Sequence, residues 1–205
     1  GRPWHSPKGS GIWMSILLRP QIHPMSASML TLVAAMAVYD AISSRVEGCA
    51  IKWPNDIVID GRKVCGILTE MSSELDNIHY VVIGIGINVN TDDFPEDIAS
   101  VAASMHVITG AYYKRAEIIA DTWKAFEKYY DLFVQTENLA LMVDAYNQRL
   151  VNMDRRVMIE ERGHRYEGTA RGIDAEGALL VERDDGTTTS VISGEVSVRG
   201  VLGYV

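Results

Sequence analysis

The stretch AIKWPNDIVIDGRKVCGILTEM, residues 50–71, decides how the centre of the chain folds. Apolar residues flank Asp60-Gly61, and an Asp-Gly pair between apolar runs is the strongest short-range signal of a β-hairpin. The first strand opens with KWPND, residues 52–56, although proline forfeits a ladder hydrogen bond and strands favour β-branched residues. Taken alone, this run indicates either the solvated start of an edge strand or a binding site built around a lysine and a carboxylate.

The return strand of the predicted hairpin carries a second cation, Lys63, followed by Gly66. A glycine inside a strand removes a side chain where a ligand or a neighbouring element approaches the backbone. The pattern therefore predicts an open backbone at Gly66 and Ile67, close to Lys52 and Lys63. A helix packed on the glycine is the alternative explanation.

The segment GIGINVN, residues 84–90, is a third candidate for binding. Its alternating glycines share one face of a strand, so that this face is bare and has room for a flat ligand or a closely packed helix. Asn88 follows the alternating glycines, and its side chain has both a donor and an acceptor, which suits the edge of a nucleotide base. The spacing completes neither of the phosphate-binding glycine motifs.

The pattern of apolar residues predicts two units of different class. A buried helix over residues 26–44, the hairpin, a strand over residues 79–88 and two helical patterns within residues 114–149 predict an α+β unit, a mixed β-sheet packed by helices. From Asp154 onwards, short alternating strands separated by glycine turns predict a small β-barrel. The predicted domains are residues 1–152 and 153–205.

Composition excludes several functions and compartments. The formal charge of −8 disfavours a nonspecific nucleic-acid binder, which would need a basic surface. The sequence shows no apolar run of membrane-spanning length and no motif that identifies a metal site, so neither is predicted. Cys49 and Cys65 lack the spacing of a zinc or redox motif, and we expect free thiols in a reducing cytoplasm.

The start of the chain, Gly1-Arg2-Pro3-Trp4, enters a loop-like segment with no element before it. We therefore expect the sequence to be part of a longer protein.

Four segments in this order closely resemble the biotin protein ligases: GRPWHSPKGSG at residues 1–11, KWPND at 52–56, KVCGIL at 63–68 and GIGINVN at 84–90. Two later segments, RGIDAEGALLVE at 171–182 and SGEVSVRG at 193–200, resemble the SH3-like barrel of the same family. The resemblance covers nearly the whole chain. It also implies family elements that precede Gly1, which include further contacts to biotin.

The resemblance implies a two-step reaction with biotin and ATP as substrates, normally with Mg²⁺. Biotin attacks the α-phosphate of ATP to give biotinyl-5′-adenylate and pyrophosphate. A lysine of a biotin carboxyl carrier protein then attacks the adenylate and releases AMP. Homodimerisation through the central sheet is a further possibility that the family suggests.

The same resemblance implies roles for individual residues. Lys52 would hold the biotin carboxylate and the phosphoryl oxygens, Lys63 would neutralise charge beside it, and Asp56 would orient the lysines or assist the acceptor amine. Gly66 and Ile67 would offer backbone groups to biotin. The residues implied in nucleotide binding are Arg2, Trp4, Asn88, Glu195 and Arg199.

Two other functions are compatible with these motifs. One is a related ligase for lipoate or octanoate, which shares the broad catalytic fold, although KWPND, GIGINVN and the barrel favour biotin. The other is a noncatalytic module that binds biotinyl-adenylate. The sequence shows no DNA-binding helix-turn-helix.

Overall fold

A computed structural model of the chain describes residues 5–75, 77–161, 163–193, 196–201 and 203–205. Two β-sheets follow each other along the chain, and helices pack on the first. The first sheet contains β1 (Ile12–Leu18), β2 (Cys49–Lys52), β3 (Asp56–Ile59), β4 (Arg62–Glu74) and β5 (Asn77–Ile87). The helical segments are a 3-10 helix (Pro24–Met29), α1 (Leu30–Ser43), α2 (Met105–Thr109), α3 (Arg115–Thr136) and α4 (Val143–Asn147).

The centre of the first sheet is a three-stranded meander with two tight turns. Asp60 and Gly61 both have positive φ, at 50° and 76°, which is the backbone of the two-residue turn that an Asp-Gly pair favours. The predicted hairpin is therefore confirmed as β3 and β4. The prediction that residues 52–56 open its first strand is wrong, because residues 53–55 form a turn of their own between β2 and β3.

The strand order in the first sheet is β1-β5-β4-β3-β2, and its ladders are antiparallel. The α+β class is confirmed. The parallel pairings of the predicted mixed sheet are reduced, among the described residues, to isolated bridges at Ile51–Leu150 and Lys63–Ala102. The second bridge fixes the segment after β5 alongside the start of β4.

Helix α1 forms the core beside the first sheet, as its nearly uniform apolar sequence predicts. Its buried residues lie on all sides, because it packs on the sheet and on α3. Phe126 and Phe133 on α3 are buried as well. Contrary to the expectation from the sequence, Pro24–Ser43 contains a window long and apolar enough to cross a membrane, with mean hydropathy 1.6, although 67% of that window is buried inside the fold. This burial is typical of a core helix.

The second sheet is antiparallel with the order β10-β6-β7-β8-β9. This confirms a small all-β unit after the α+β unit, while the division at residues 152 and 153 stays a prediction. Its strands are β6 (Arg156–Glu161), β7 (His164–Ile173), β8 (Leu179–Glu182), β9 (Thr188–Val191) and β10 (Val196–Gly200).

Trp53 joins the two units at the turn before β3. Its side chain is 1% exposed, and its indole Nε1 donates to the carbonyl of Gly177, between β7 and β8, at 3.0 Å. A buried indole contributes a large apolar area and satisfies its polar atom by such a bond. The tryptophan of the 52–56 run therefore holds the second unit against the first.

Both cysteines are free thiols, as predicted. Burial raises the pKa of the Cys49 thiol to about 12, and burial raises the pKa of Cys65 further above its ordinary value. Both groups therefore remain protonated and unreactive at neutral pH.

Candidate functional site

A single row of residues crosses all five strands of the first sheet. Lys52 is paired in register with Asp56, Asp56 with Gly66, Gly66 with Gly86, and Gly86 with Trp13. Residues directly opposite each other in an antiparallel ladder share one face. The face that carries this row, hereafter the site face, thus has a charged end, a centre without side chains and an indole at its far edge.

The next row on the site face is also open at its centre. Gly84 lies opposite Leu68 on one side and Ser15 on the other. A Cβ at Gly84 would come no closer than 3.7 Å to the Leu68 carbonyl oxygen and 3.9 Å to the Ser15 hydroxyl, which are ordinary contacts. Packing within the described chain therefore does not require a glycine at position 84. Space for a ligand is the explanation that remains for this glycine.

A β-bulge brings the second lysine to the same face. The register of β3 and β4 shifts between Ile57 and Val58, so that Val58 is opposite Lys63. Without the shift, simple alternation would place Lys63 on the face of Ile57, in the core. The extra residue in β4 instead aims Lys63 at Asp56, since bulges re-aim side chains in this way.

Four side chains form an ionic cluster at the charged end of the row: Lys52, Asp56, Lys63 and Tyr204. Nζ of Lys63 lies 2.5 Å from Oδ1 of Asp56, and the hydroxyl of Tyr204 donates to Oδ2. Nζ of Lys52 donates to the carbonyl of Val198 at 3.0 Å and lies 4.3 Å from the centroid of the Tyr204 ring. Two cations around one carboxylate give this cluster an excess positive charge, which suits an anionic ligand.

Burial is the main influence on the charge of Lys52, which is 6% exposed. Desolvation lowers the pKa of Lys52 to about 8; Asp56 opposes this shift, whereas the neighbouring cations Lys63 and Arg199 add to it. At neutral pH the amine is still mostly protonated. The cluster therefore presents a partly desolvated cation, which binds an anion more strongly than a solvated cation does.

A pocket of 310 Å³ opens between the 3-10 helix and β4. This volume is at the lower end of the range of small-molecule sites, about 300–1,000 Å³. Its lining mixes apolar side chains with hydroxyls and one amide: Pro24, Ala27, Ser28, Thr31, Asn55, Ile67, Leu68, Thr69, Met71 and Ser193. Such a lining suits a mainly apolar ligand with a few polar atoms.

The prediction that Ile67 offers an open backbone is wrong. Its N–H donates to the carbonyl of Asn55 at 2.9 Å, and its carbonyl accepts from Nδ2 of Asn55 at 2.9 Å. The turn that replaces the predicted strand start makes these two bonds possible. Gly66 lies in the middle of the sheet, so that its contribution to the site face is a missing side chain. Ile67 lines the pocket instead.

The predicted nucleotide contacts are only partly described. Arg2, Trp4 and Glu195 lie outside the described residues. Arg199 is exposed on β10 and follows Val198, whose carbonyl holds Lys52.

Asn88 is 4% exposed, and its Nδ2 donates to the carbonyl of Ala103 at 3.1 Å. Its Oδ1 is buried as well and, among the described groups, has no hydrogen-bond partner. The role of Asn88 in reading adenine stays a prediction.

Sequence reasoning missed two residues of this site. Tyr204 enters from a position 148 residues after Asp56, which no local pattern can connect. Asn55 fixes the backbone of Ile67, and its place directly after Trp53-Pro54 was a usable signal, because such residues favour a turn with side-chain to backbone bonds.

Comparison with known proteins agrees with this geometry. Residues 1–88 match the Biotin/lipoate A/B protein ligase family, and residues 153–199 match the biotin protein ligase C terminal domain. The biotin–[acetyl-CoA-carboxylase] ligase of Paracoccus denitrificans is 31% identical over 88% of this chain and 77% of its own length.

The bifunctional ligase/repressor BirA of Bacillus spizizenii is 42% identical over 90% of this chain, which spans 58% of that relative. The fold resembles the biotin protein ligase of Aquifex aeolicus solved with biotin and ATP, with a TM-score of 0.85, 27% identity, and coverage of 98% of this chain and 82% of that one. On these matches, the chain belongs to the biotin protein ligase family.

Proposed function

We propose that this chain supplies most of the active site of an ATP-dependent biotin protein ligase. The observation that carries the proposal is the row on the site face, in which Lys52 and Lys63 meet around Asp56 next to two glycines. The first step joins two anions, a carboxylate and a triphosphate. Their mutual repulsion opposes the approach, and fixed cations lower that barrier most effectively in a desolvated site.

The proposed first step forms one bond and breaks another. A carboxylate oxygen of biotin attacks the α-phosphorus of ATP, and the bond from that phosphorus to the bridging oxygen of the β-phosphate breaks. Biotinyl-5′-adenylate and pyrophosphate result. Lys52 contacts the carboxylate and the α-phosphate, Lys63 neutralises the adjoining charge, and Asp56 keeps Lys63 in place. Mg²⁺ enters with the phosphates as Mg·ATP.

The proposed second step transfers biotin to a protein. The neutral ε-amine of a lysine on a biotin carboxyl carrier protein attacks the acyl carbon of the adenylate. An amide bond forms, the bond from the acyl carbon to the phosphate oxygen breaks, AMP leaves and the amine loses a proton. In this proposal the proton passes to Asp56 or to the phosphate group of the leaving AMP.

The shape of the site supports biotin as the acid. Gly66, Gly84 and Gly86 leave the centre of the site face without side chains, which suits a flat fused ring system, and Ile67 lines the pocket between the 3-10 helix and β4. The nucleotide lies, in this proposal, between Arg199 and Asn88, with Arg2, Trp4 and Glu195 as its further contacts. Homodimerisation through the central sheet and a cytoplasmic location belong to the same proposal, and the free thiols are consistent with a reducing compartment.

Pyrophosphate exchange tests this function directly. The full-length polypeptide that contains this chain is incubated with Mg·ATP, labelled pyrophosphate and either biotin, lipoate or octanoate. We expect label to enter ATP only with biotin, and biotin to reach one lysine of a carrier domain. Exchange that depends on lipoate or octanoate would identify the related ligase, and binding of biotinyl-adenylate without exchange would identify a noncatalytic module.

Lys52→Ala is the matching variant. Removal of one charge that stabilises a transition state typically lowers kcat about 100- to 1,000-fold. Lys114→Ala is its control, because Lys114 lies on the surface in an exposed ion pair with Glu117. Equal rates for the two variants would contradict the role of Lys52.

A further inference from the structure

Tyr204 connects the second unit of the chain to the ionic cluster. Its hydroxyl donates to Oδ2 of Asp56, and its ring lies 4.3 Å from Nζ of Lys52. The next residue, Val205, lies against the turn of the hairpin, because a Cβ built at Gly61 would be 3.0 Å from its Cγ2 atom. The segment that carries Tyr204 is therefore fixed at the cluster and at the turn beside it.

The partners of Asp56 explain why a hydroxyl at this place matters. Lys52 is the cross-strand neighbour of Asp56, yet Oδ1 is 2.5 Å from Lys63 and Oδ2 accepts from Tyr204. Lys52 donates instead to the carbonyl of Val198, at 3.0 Å. An ammonium has three N–H groups. With one on Val198 and the Tyr204 ring on another side, Lys52 keeps hydrogen-bonding capacity for an anion.

We propose that Tyr204 is a positioning residue for biotin activation, which holds the Asp56 carboxylate on Lys63 and thereby keeps Lys52 available to the substrate anions. This inference rests on the proposed function. Without the hydroxyl, Oδ2 of Asp56 turns to Lys52, and a partly buried ion pair forms that competes with the biotin carboxylate and the α-phosphate. The ring has a separate effect, because its face stabilises the ammonium by a cation–π interaction.

Tyr204→Phe is the informative variant, since it removes the hydroxyl and retains the ring. Within the part of the chain that the structure describes, the charged groups that face Lys52 are Asp56 of β3, Lys63 of β4 and Arg199 of β10. When Asp56 turns towards Lys52, the attraction favours the ammonium and the titration midpoint of Lys52 rises. NMR of isotope-labelled lysine amines in the full-length, ligand-free protein measures this midpoint, with Lys52→Arg to assign the signal.

The kinetic measurement is biotin-dependent pyrophosphate exchange. We expect kcat/KM for Tyr204→Phe to fall about tenfold, with a raised KM for biotin, because Lys52 has to leave Asp56 before it binds the carboxylate. In an Asp56→Asn background, which lacks the competing charge, Tyr204→Phe should have little further effect. The control is Tyr112→Phe, which removes a phenol-to-carboxylate bond of the same type, to Asp92 at 3.3 Å, on the exposed surface.

The possible outcomes are distinct. An unchanged Lys52 midpoint together with unchanged kcat/KM in Tyr204→Phe would overturn the inference. So would an equal loss of rate in the Asp56→Asn background, because Tyr204 would then act independently of Asp56. If the wild-type protein shows no biotin-dependent exchange, the proposed function fails, and the midpoint of Lys52 still tests whether Tyr204 controls the carboxylate.

Discussion

Lys52 and Asp56 stand opposite each other across a three-residue turn, yet each bonds to a different partner. Asp56 interacts with Lys63 and Tyr204, and Lys52 donates to the carbonyl of Val198. This separation of two adjacent opposite charges leaves a desolvated cation beside a row of glycines. Ligand binding, the charge of the site and the stability of the fold should each depend on that arrangement.

Lys63→Met should disable the site while the sheet is retained. Methionine preserves the length and apolar stem of the side chain and removes its charge, which leaves the largely buried Asp56 without its cation. We expect biotin-dependent pyrophosphate exchange to fall about 100-fold, in the range that follows loss of a fixed charge at a reacting centre.

Lys114→Met provides the comparison for Lys63→Met, because the ammonium of Lys114 is 3.1 Å from Glu117 in an exposed pair. Such a pair contributes about 0–1 kcal/mol to stability and should not affect exchange. A Lys63→Met protein with the exchange rate of Lys114→Met would contradict the role of Lys63.

Gly84→Ala should separate ligand binding from folding. The new Cβ would meet only ordinary contacts, at 3.7 Å and 3.9 Å, so that the free energy of unfolding should change by no more than about 1 kcal/mol. The methyl group enters the space that we assign to biotin, and one surplus carbon in a fitted site typically weakens binding about 10- to 200-fold. Titration calorimetry with biotin measures the effect.

Gly186→Ala should show the opposite behaviour. Gly186 has φ of +80°, and no atom lies within 4 Å of the place that a Cβ would take, so that backbone strain alone opposes the change. We expect a loss of stability of about 1 kcal/mol and unchanged biotin affinity. Normal biotin affinity in Gly84→Ala would place biotin elsewhere.

The activity should depend on pH through Lys52. Burial lowers the pKa of Lys52 from 10.5 to about 8, so that its charge is lost as the pH rises through about 8. Because kcat/KM reports the free protein, kcat/KM for exchange should fall across that range. Lys52→Arg, which stays charged, should be less active overall and lack this fall; an identical fall in both proteins would assign it to another group.

The contribution of Lys52 to the stability of the fold should rise with pH, whereas the activity falls. Between about pH 8 and 10.5 the unfolded chain still holds the Lys52 proton, whereas the folded protein has released it. The unfolded state therefore binds more protons, and the contribution of Lys52 to the free energy of unfolding rises with pH in this window. The difference between the wild type and Lys52→Met in urea unfolding at several pH values isolates that contribution.

Trp53→Phe should weaken the junction of the two units. The change removes the bond from Nε1 to Gly177 and leaves a gap around a side chain that is 1% exposed. We expect a loss of about 2–4 kcal/mol in urea unfolding, from the gap and the unpaired carbonyl together. Trp123→Phe, on the partly buried face of α3, should cost less, and an equal cost would argue against a special role for Trp53.

The sequence predicted those parts of the site that depend on local chemistry. The Asp60-Gly61 turn follows from two residues that accept positive φ, and the bare face at Gly84 and Gly86 follows from strand alternation. Lys63 could not be assigned to its face in this way, because a register shift interrupts the alternation between Lys63 and Cys65. Tyr204 could not be found at all, since its contact with Asp56 depends on how the two units pack.

The wrong prediction that residues 52–56 open a strand also arose because the local sequence does not reveal contacts with distant residues. Pro54 correctly argued against a regular strand, but the choice between a poor strand and a turn depended on whether β2 could pair with β3. That pairing is stabilised in part by Leu150, which bridges to Ile51 from far along the chain. Local propensity therefore identified the irregularity and could not say what it was.

The bulge in β4 also determines how this site would respond to a change in chain length. Insertion of one residue between Ile57 and Val58 would give Val64 a partner and bring β3 and β4 into continuous register, and simple alternation would then place Lys63 on the core face. The ladder would then be regular, and Asp56 would share its face with Lys52 but no longer with Lys63. In this protein, the irregular ladder encodes the charge of the binding surface, and a homologous site could gain or lose its second cation through one inserted codon without any substitution.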